Sequence, residues 1–348
     1  RTPAWDTYSP KEKRHGFNYW YSYGTWDVHK NPHYFDNDGK RHEPREWSPK
    51  HEADMAIAYL KNQHRQRDPN KPFALFVSMN PPHSPYRSLN DCMEEDFNLY
   101  KDIPPQRLLV RKNADPKINK SKSVPYYFAN VTGVDREFGR IIQQLKELGL
   151  YENAVVIFSS DHGETLCSHG IDDAKNSIYA EAFEVPLLIR YPGLKQPRTD
   201  DLLIGSPDLM PTLLGLMGLE KQIPLSVQGF NYAGQIKKPQ LSGRPTSQLY
   251  LRNLDGQVDP DGKVVSYFPE ARGIKNYRYT LELIINRQNE LVKTKFFDNK
   301  KDPYQLKNLP VSKQNPVVQE LLKEMAYWLK RSEDLWYQEK ILRNWIGY

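Results

Sequence analysis

A short apolar run that passes directly into charged residues is the feature that most constrains the fold. Residues 154–158 (AVVIF) have the length and composition of a buried strand, and SSDHGE follows at once. The preceding stretch, YYFANVTGVDREFGRIIQQLKELGL, has apolar residues at helical spacing and ends at Gly149. With VPLLIRYP as a further strand and SPDLMPTLLGLMGL as a further helix, the pattern predicts the α/β class, with a largely parallel sheet flanked by helices.

Two polar loops follow predicted strands of this sheet. PFALFVSM reads as a strand that ends in NPPHSPY, and AVVIF ends in SSDHGE. In parallel sheets, ligands bind beyond the carboxyl ends of the strands. We therefore expect both loops to carry functional residues. A Ser-Pro start and helical spacing also predict a helix beginning at Ser48.

The pattern changes near residue 238. Shorter β-like runs follow, SQLYLRNL, YRYTLELII and LVKTKFFD, and then the helical stretch NPVVQELLKEMAYWLKRSE. This order predicts that residues 239–348 form a smaller α+β subdomain with an antiparallel sheet. Residues 1–238 would then form the C-terminal part of a large α/β domain.

Composition narrows the classes of partner. The 348 residues include 49 basic and 43 acidic ones, and the formal charge of +6 is spread along the chain. This weak excess argues against nucleic acid and is compatible with an anionic small molecule or polyanion. No apolar stretch approaches the roughly 18 residues that span a membrane. Cys92 and Cys167 do not form a disulfide framework.

Four residues in or near the two loops are candidates for chemistry, and each has an ordinary structural alternative. Asp161 and His162 suit a divalent cation with oxygen ligands, or a capped turn. His83, held between prolines, suits an acid near neutral pH, or a histidine hydrogen-bonded within a rigid turn. Lys175, fourteen residues after Asp161, suits an anionic oxygen, or plain solvation.

The first 50 residues are rich in aromatic and basic side chains and have no clear period, which predicts an ordered, irregular surface segment. His29, Lys30 and His33, with Arg41 and Arg45, are candidates for binding an anionic substrate, although such a loop is usually just surface. Aromatic rings suit stacking on sugar rings, and basic groups suit pairing with anions.

Taken together, the order of these segments resembles the sulfatase family of the alkaline phosphatase superfamily. NPPHSPY resembles the family's Pro-His-x-Pro-Tyr loop, and the helix, strand and SSDHGE resemble its helix, strand and metal loop. SPDLMPTLLGLMGL and FFDNKKDPYQLKNL resemble its Asp-Leu-x-Pro-Thr helix and its C-terminal stretch. The resemblance covers roughly residues 48–330, and the motifs are specific jointly rather than singly.

The resemblance implies a role for each of the four candidates. Asp161 and His162 would be ligands of a calcium ion, with magnesium the less favoured cation. His83 would match the histidine that contacts the sulfate and protonates the departing oxygen, and Lys175 would match the lysine that binds sulfate oxygens. A cation, a lysine and a histidine together can stabilise negative charge on a sulfuryl group.

The chain departs from the family at the nucleophile. The family makes a formylglycine in a Cys/Ser-x-Pro-x-Arg motif, beside two further Asp ligands, and neither motif occurs here. The resemblance therefore implies that the chain is an N-terminally incomplete form, inactive alone, of a protein that hydrolyses sulfate esters. The implied substrate is a sulfated small molecule or glycan, and the aromatic and basic first 50 residues favour sulfated carbohydrate. It also implies a periplasmic, secreted or lysosomal location, while oligomeric state is not predicted.

Two other functions fit the same residues. A phosphodiesterase or phosphonate monoester hydrolase of the same superfamily shares the metal loop and the histidine. A non-catalytic paralogue could bind anionic glycans through residues 29–45. Relative activity on sulfate and phosphate esters separates the first from a sulfatase, and glycan binding without hydrolysis would favour the second.

Overall fold

The computed structural model describes residues 6–24, 26–171, 175–253, 255–258, 264–339 and 341–342. These residues belong to two compact units, Arg1–Val110 with Pro116–Asn153 and Arg111–Asp115 with Ala154–Tyr348. Each unit is considered by itself below. The boundary near residue 238 that the sequence suggests falls inside the second unit and stays a prediction.

The first unit is mainly helical. Its elements are β1 (Tyr34–Phe35), β2 (Arg41–His42), α1 (Ser48–Leu60), α2 (Glu94–Phe97), α3 (Pro105–Leu108) and α4 (Val124–Glu147), with 3-10 turns at Lys11–Lys13, Asn119–Ser123 and Tyr151–Asn153. The long helices α1 and α4 pack on each other. Both begin with proline in the first turn, where the missing N–H costs no hydrogen bond.

Helix α4 buries one face at a spacing of four residues, through Ala129, Gly133, Glu137 and Ile141. A Cβ atom at Gly133 would lie 2.5 Å from the ring of Trp47, so glycine is required for this close approach. The helix ends as predicted near Gly149, which has a φ of +67° and donates its N–H to Lys146 O.

The second unit contains the remaining elements. They are β3 (Val156–Ser159), α5 (Ala180–Phe183), β4 (Leu187–Arg190), α6 (Ser206–Leu216), a 3-10 turn at Glu220–Gln222, α7 (Ala233–Lys237), β5 (Ser247–Arg252), β6 (Asp255–Val258), β7 (Val264–Phe268), β8 (Glu270–Asn276), β9 (Tyr279–Ile285), β10 (Leu291–Asp298), α8 (Pro316–Arg331) and α9 (Leu335–Gln338).

The predicted C-terminal antiparallel sheet is present. Its strands lie in the order β10, β9, β8, β5, and every neighbouring pair is antiparallel. One face packs on α8 through a core that includes Leu281, Leu283 and Leu321. The other face carries a second cluster around Ile178, Tyr250 and Ala271. Because both faces are covered, β8 and β9 are almost continuously buried.

The parallel pairing predicted for the large domain is not found among the described strands. β3 and β4 pair antiparallel, and the described parts of the chain between them, residues 160–171 and 175–186, contain loops and the single turn of α5 rather than a crossover helix. Residues 72–79, which the sequence predicts as a buried strand, have no strand assignment, and Phe76 is 78% exposed. Without a paired neighbour in the described chain, this segment does not form a ladder.

Candidate functional site

The loop that follows β3 brings three of the predicted residues together. The Lys175 ammonium lies 3.1 Å from His162 Nε2, and Asp161 Oδ2 lies 3.8 Å from the same nitrogen. His162 Nδ1 lies 2.7 Å from the carbonyl of Gly163, which can only accept, so Nδ1 carries a proton. In the neutral ring, Nε2 then presents a lone pair that accepts from Lys175.

This arrangement fits part of a cation site. The Asp161 carboxylate is 87% exposed, and the lone pair of His162 Nε2 already faces a positive group, the Lys175 ammonium. Calcium takes six to eight ligands, mostly oxygen. Within the ranges that the structure describes, no group of three or more His, Cys, Asp or Glu side chains is placed to hold a metal. Asp161 and His162 therefore suit a ligand set as two of its members.

The backbone of the same loop is held at two places. Gly163 donates its N–H to Ala182 O, and a Cβ atom at this position would lie 2.0 Å from Glu181 O. Further along, His169 N donates to Asn113 O at 2.7 Å, and Asp115 N donates to Cys167 O at 2.9 Å. These bonds maintain the positive φ values of Leu166, Cys167 and His169, which side-chain-bearing residues rarely adopt.

The Glu181 carboxylate contacts three of the residues that hold this loop, Asn113, Arg111 and His169. Its Oε1 accepts from Asn113 Nδ2 at 2.8 Å and lies 2.6 Å from Arg111 Nε, and its Oε2 lies 3.6 Å from His169 Nε2. Burial alone would raise the pKa of Glu181. The hydrogen bonds from His169 and Asn113, with the charge of Arg111, outweigh burial and lower the pKa to about 2. The carboxylate is therefore ionised at every physiological pH.

Stacked rings of Tyr179 and His169 support the segment just after Lys175. The ring of Tyr179 stacks on His169 with the centroids 3.6 Å apart, and the Lys295 ammonium lies 4.2 Å from the Tyr179 centroid. Lys295 also donates to Ser177 Oγ and forms an ion pair with Glu282 at 2.9 Å. Burial lowers the pKa of Lys295, although Glu282 opposes that shift. The sequence did not predict these contacts of Lys295, because Lys295 and Glu282 look like ordinary charged residues of an alternating strand.

His83 belongs to the first unit. The peptide bonds Pro81–Pro82 and Ser84–Pro85 on either side of it are cis. Its Nδ1 lies 2.8 Å from Ser84 O and 3.9 Å from Asp27 Oδ1, and the side chain is 33% exposed. Because a backbone carbonyl can only accept, Nδ1 carries a proton in this contact.

The three predicted substrate contacts in the first unit have structural partners. His29 is buried and lies 3.1 Å through Nδ1 from Asp91 O, and burial lowers its pKa. The Lys30 ammonium donates to Leu89 O at 2.5 Å, and His33 Nε2 lies 2.8 Å from Asp6 Oδ2. These contacts account for the positions of the three side chains, and their role in binding substrate stays a prediction.

A pocket of about 400 Å³ lies beside His33. It is lined by Trp26, Asn31, Pro32, His33, Arg41, Glu43, Pro44 and Arg45. His33 and the two arginines were candidates from the sequence, whereas Trp26 was not singled out. Its proximity depends on how residues 26–45 fold back, which has no periodic signal.

Comparison with known families identifies the chain. The sulfatase family model matches residues 2–219, and the model for the C-terminal region of N-sulphoglucosamine sulphohydrolase matches residues 167–332. The chain belongs to the sulfatase family. Within this sulfatase, Asp161, His162 and Lys175 lie on the loop after β3, and His83 lies between two cis prolines.

Two curated relatives of this sulfatase chain are informative. An endo-4-O-sulfatase from Bacteroides thetaiotaomicron is 58% identical over 349 residues, which is 99% of this chain and 68% of that protein. An ulvan-active sulfatase from Formosa agariphila is 32% identical over 317 residues, which is 87% of this chain and 56% of that protein. The chain thus spans between about half and about two thirds of the length of these two relatives.

Solved structures agree with the family. A Bacteroides thetaiotaomicron 4S-sulfatase, described with the metabolism of multiple glycosaminoglycans, superimposes with a TM-score of 0.95 over 100% of this chain and 72% of that one, at 58% identity. A candidate sulfatase from Bacteroides fragilis gives 0.82 over 96% and 70%, at 31% identity. The α/β sulfatase fold with a C-terminal antiparallel sheet is thereby confirmed. None of the described helices is long and apolar enough to cross a membrane.

Proposed function

We propose that the protein is a sulfuric ester hydrolase that acts on sulfated carbohydrate, and that it removes 4-O-sulfate groups from interior positions of a polysaccharide. The observation that carries this proposal is the 58% identity to an endo-4-O-sulfatase over 99% of the chain. At this identity the fold and the local motifs are retained together. The finer specificity, for position 4 and for interior sugars, is transferred from that one relative.

Four of the described residues would have distinct roles in the hydrolysis of the sulfate ester. Lys175 carries a positive charge beside His162 Nε2 and would meet the sulfate oxygens. His83 would donate a proton from Nε2 to the departing sugar oxygen. Asp161 and His162 would help to hold calcium, which supplies positive charge against the sulfuryl oxygens when bound. We place this activity in the periplasm or outside the cell, in keeping with a polysaccharide substrate.

The first experiment uses the polypeptide as its organism makes it, because the 348 residues contain no Cys/Ser-x-Pro-x-Arg motif for a formylglycine. Its intact mass is measured, and it is incubated with a glycosaminoglycan sulfated at position 4 and with one sulfated at position 6. Release of sulfate from the uncut 4-sulfated polymer is the expected result. Preference for a phosphate diester would support the phosphodiesterase alternative, and binding without any release would support the non-catalytic paralogue.

The role assignments are tested by substitution in that polypeptide. Loss of the acid in His83→Ala should lower kcat roughly 10²- to 10⁴-fold. Loss of the cation in Lys175→Ala should lower it roughly 10²- to 10³-fold. Lys195→Ala, a change at an exposed lysine of the second unit, is the matched control. Unchanged turnover in either of the first two variants contradicts that assignment. Restoration of chelated enzyme by calcium rather than magnesium would identify the cation.

A further inference from the structure

We propose that the pocket beside His33 is a subsite for a second sulfated sugar unit, one that neighbours the unit whose sulfate is removed. The inference rests on the proposed function and specifies how the enzyme would recognise a polymer rather than a single ester. Four features of the first unit carry it: a hairpin frame, an aromatic wall, two arginines, and a hydrogen bond to the His83 loop.

The frame of the pocket is rigid. Strands β1 and β2 form a hairpin in which Tyr34 pairs with His42 and Phe35 with Arg41. Asp36 Oδ1 accepts from the backbone N–H groups of residues 38 and 40, and its Oδ2 lies 2.7 Å from His42 Nε2. The hairpin thus sets the backbone position of Arg41, and pockets of roughly 300–1,000 Å³ are typical of small-molecule sites.

The aromatic wall is held in place by its neighbours. The ring of Trp26 meets the ring of His33 edge to face, with the centroids 5.0 Å apart. His33 is 3% exposed and is fixed by its contact with Asp6. Because the Trp26 ring packs on a buried histidine, its indole can contact the apolar face of a sugar ring with a smaller loss of side-chain entropy than a fully solvated ring would have.

The two arginines give the pocket its charge. Arg41 Nε lies 3.1 Å from Glu43 Oε1, which uses one edge of the guanidinium. The exposed side chain of Arg45 makes no ion pair or hydrogen bond with the part of the chain that the structure describes. Guanidinium groups bind sulfate-like anions through two parallel N–H bonds. Two arginines against one glutamate leave a net positive pocket, which suits a sulfated sugar better than a neutral one.

The same short segment that forms the wall also contacts the His83 loop. Trp26 O accepts from Asn80 Nδ2 at 3.2 Å, and the next residue, Asp27, lies 3.9 Å through Oδ1 from His83 Nδ1. The pocket residue Trp26 and its neighbour Asp27 thus contact the loop that carries the proposed catalytic histidine. A polysaccharide whose ester lies at His83 would place a neighbouring unit at Trp26, which accounts for action at interior positions.

The test compares a long substrate with a short one in the complete polypeptide. Arg45→Ala and Arg41→Ala are each assayed on the 4-sulfated polysaccharide and on an aryl sulfate too small to reach the pocket. We expect KM for the polymer to rise about tenfold, with kcat on the polymer and both parameters on the aryl sulfate unchanged, and Arg45→Lys to recover only part of the loss. Arg107→Ala, at an exposed arginine of the same unit, is the matched control.

Two results would overturn the subsite. An unchanged KM in both variants would mean that the arginines are ordinary solvated surface. An equal loss on polymer and aryl sulfate would mean that the substitutions disturb the fold. Binding of a sulfated oligosaccharide by calorimetry decides the matter independently of turnover. If wild type releases no sulfate but binds the oligosaccharide, and Arg45→Ala weakens binding about tenfold, the proposed hydrolysis fails while the subsite stands. Equal binding by both proteins overturns the subsite.

Discussion

Two enclosed carboxylates, one in each unit, are stabilised in opposite ways. Glu52 on α1 accepts from the Tyr34 hydroxyl at 2.9 Å, and its Oε2 is buried with no hydrogen-bond partner among the described residues. Glu282 on β9 is completely buried and lies 2.9 Å from the Lys295 ammonium. One carboxyl thus has a neutral phenol as partner and the other has a cation.

The neutral partner matters for the charge of Glu52. Burial raises the pKa of Glu52 to about 8, because the hydrogen bond from Tyr34 offsets only part of the desolvation cost. In the second unit the Lys295 ammonium is the counter-charge of Glu282, and it also contacts Ser177 and the ring of Tyr179. A buried ion pair of this kind contributes little net stability but is costly to break. The second unit thus has a buried ion pair in contact with Ser177 and Tyr179, whereas the Glu52 carboxyl of the first unit has the Tyr34 hydroxyl as its partner.

Removal of the cation should give the largest effect. Lys295→Met leaves Glu282 buried without a counter-charge, and we expect a loss of about 3–5 kcal/mol in the free energy of unfolding, measured by urea denaturation. Lys293→Met, at an exposed lysine of the same strand, should change it by less than about 0.5 kcal/mol. The double change Lys295→Met with Glu282→Leu should recover most of the loss. Equal stability of Lys295→Met and wild type would mean that the pair is not needed.

Glu181 is an intermediate case, since it is buried yet has both a cation and hydrogen-bond donors. Its pKa is lowered to about 2 from an ordinary value of 4.5, so it stabilises the fold above pH 4.5, and this contribution is lost as the pH falls towards 2. Glu181→Gln should therefore cost about 3 kcal/mol at neutral pH and almost nothing near pH 2. Glu184→Gln, at the half-exposed partner of Lys275, is the control. A deficit that does not shrink in acid would contradict the lowered pKa.

The sequence predicted the elements that have a strong period. Helices α1, α4, α6 and α8 and strands β3, β4, β5, β9 and β10 lie where the apolar patterns place them. The expectation that residues 154–158 form a buried strand was wrong in its burial, because β3 is only partly buried along its length and Leu188 of its partner β4 is 60% exposed. Residues 72–79 and the β1–β2 hairpin were not predicted correctly. The first is apolar but has no paired neighbour in the described chain, and the second is only two residues per strand.

The site was predictable only in part for a related reason. Asp161, His162 and Lys175 could be grouped because they are close in sequence and match a known motif. The residues that hold this loop could not be predicted, because Asn113, Glu181 and Lys295 come from three distant segments that only the tertiary fold brings together. The pocket residue Trp26 was not predicted either, because the fold of residues 26–45 has no periodic signal in the sequence. Local motifs thus identify reacting groups, whereas the residues that position them follow from long-range packing.

The smallest effect on the free energy of unfolding is expected at Glu52. Its dependence on pH tests whether the carboxyl of the first unit is protonated in the fold. Because its folded pKa is raised to about 8, the folded state holds a proton that the unfolded state releases above pH 4.5, so wild type loses stability as the pH rises through this range. Glu52→Gln has no proton to release. The variant should match wild type near pH 5 and gain about 2 kcal/mol on it by pH 6.5. Glu12→Gln, an exposed change in the same unit, should show no such trend. If the stability difference between Glu52→Gln and wild type does not vary with pH, Glu52 is ionised in the fold, and the two carboxylates differ in partner but not in charge.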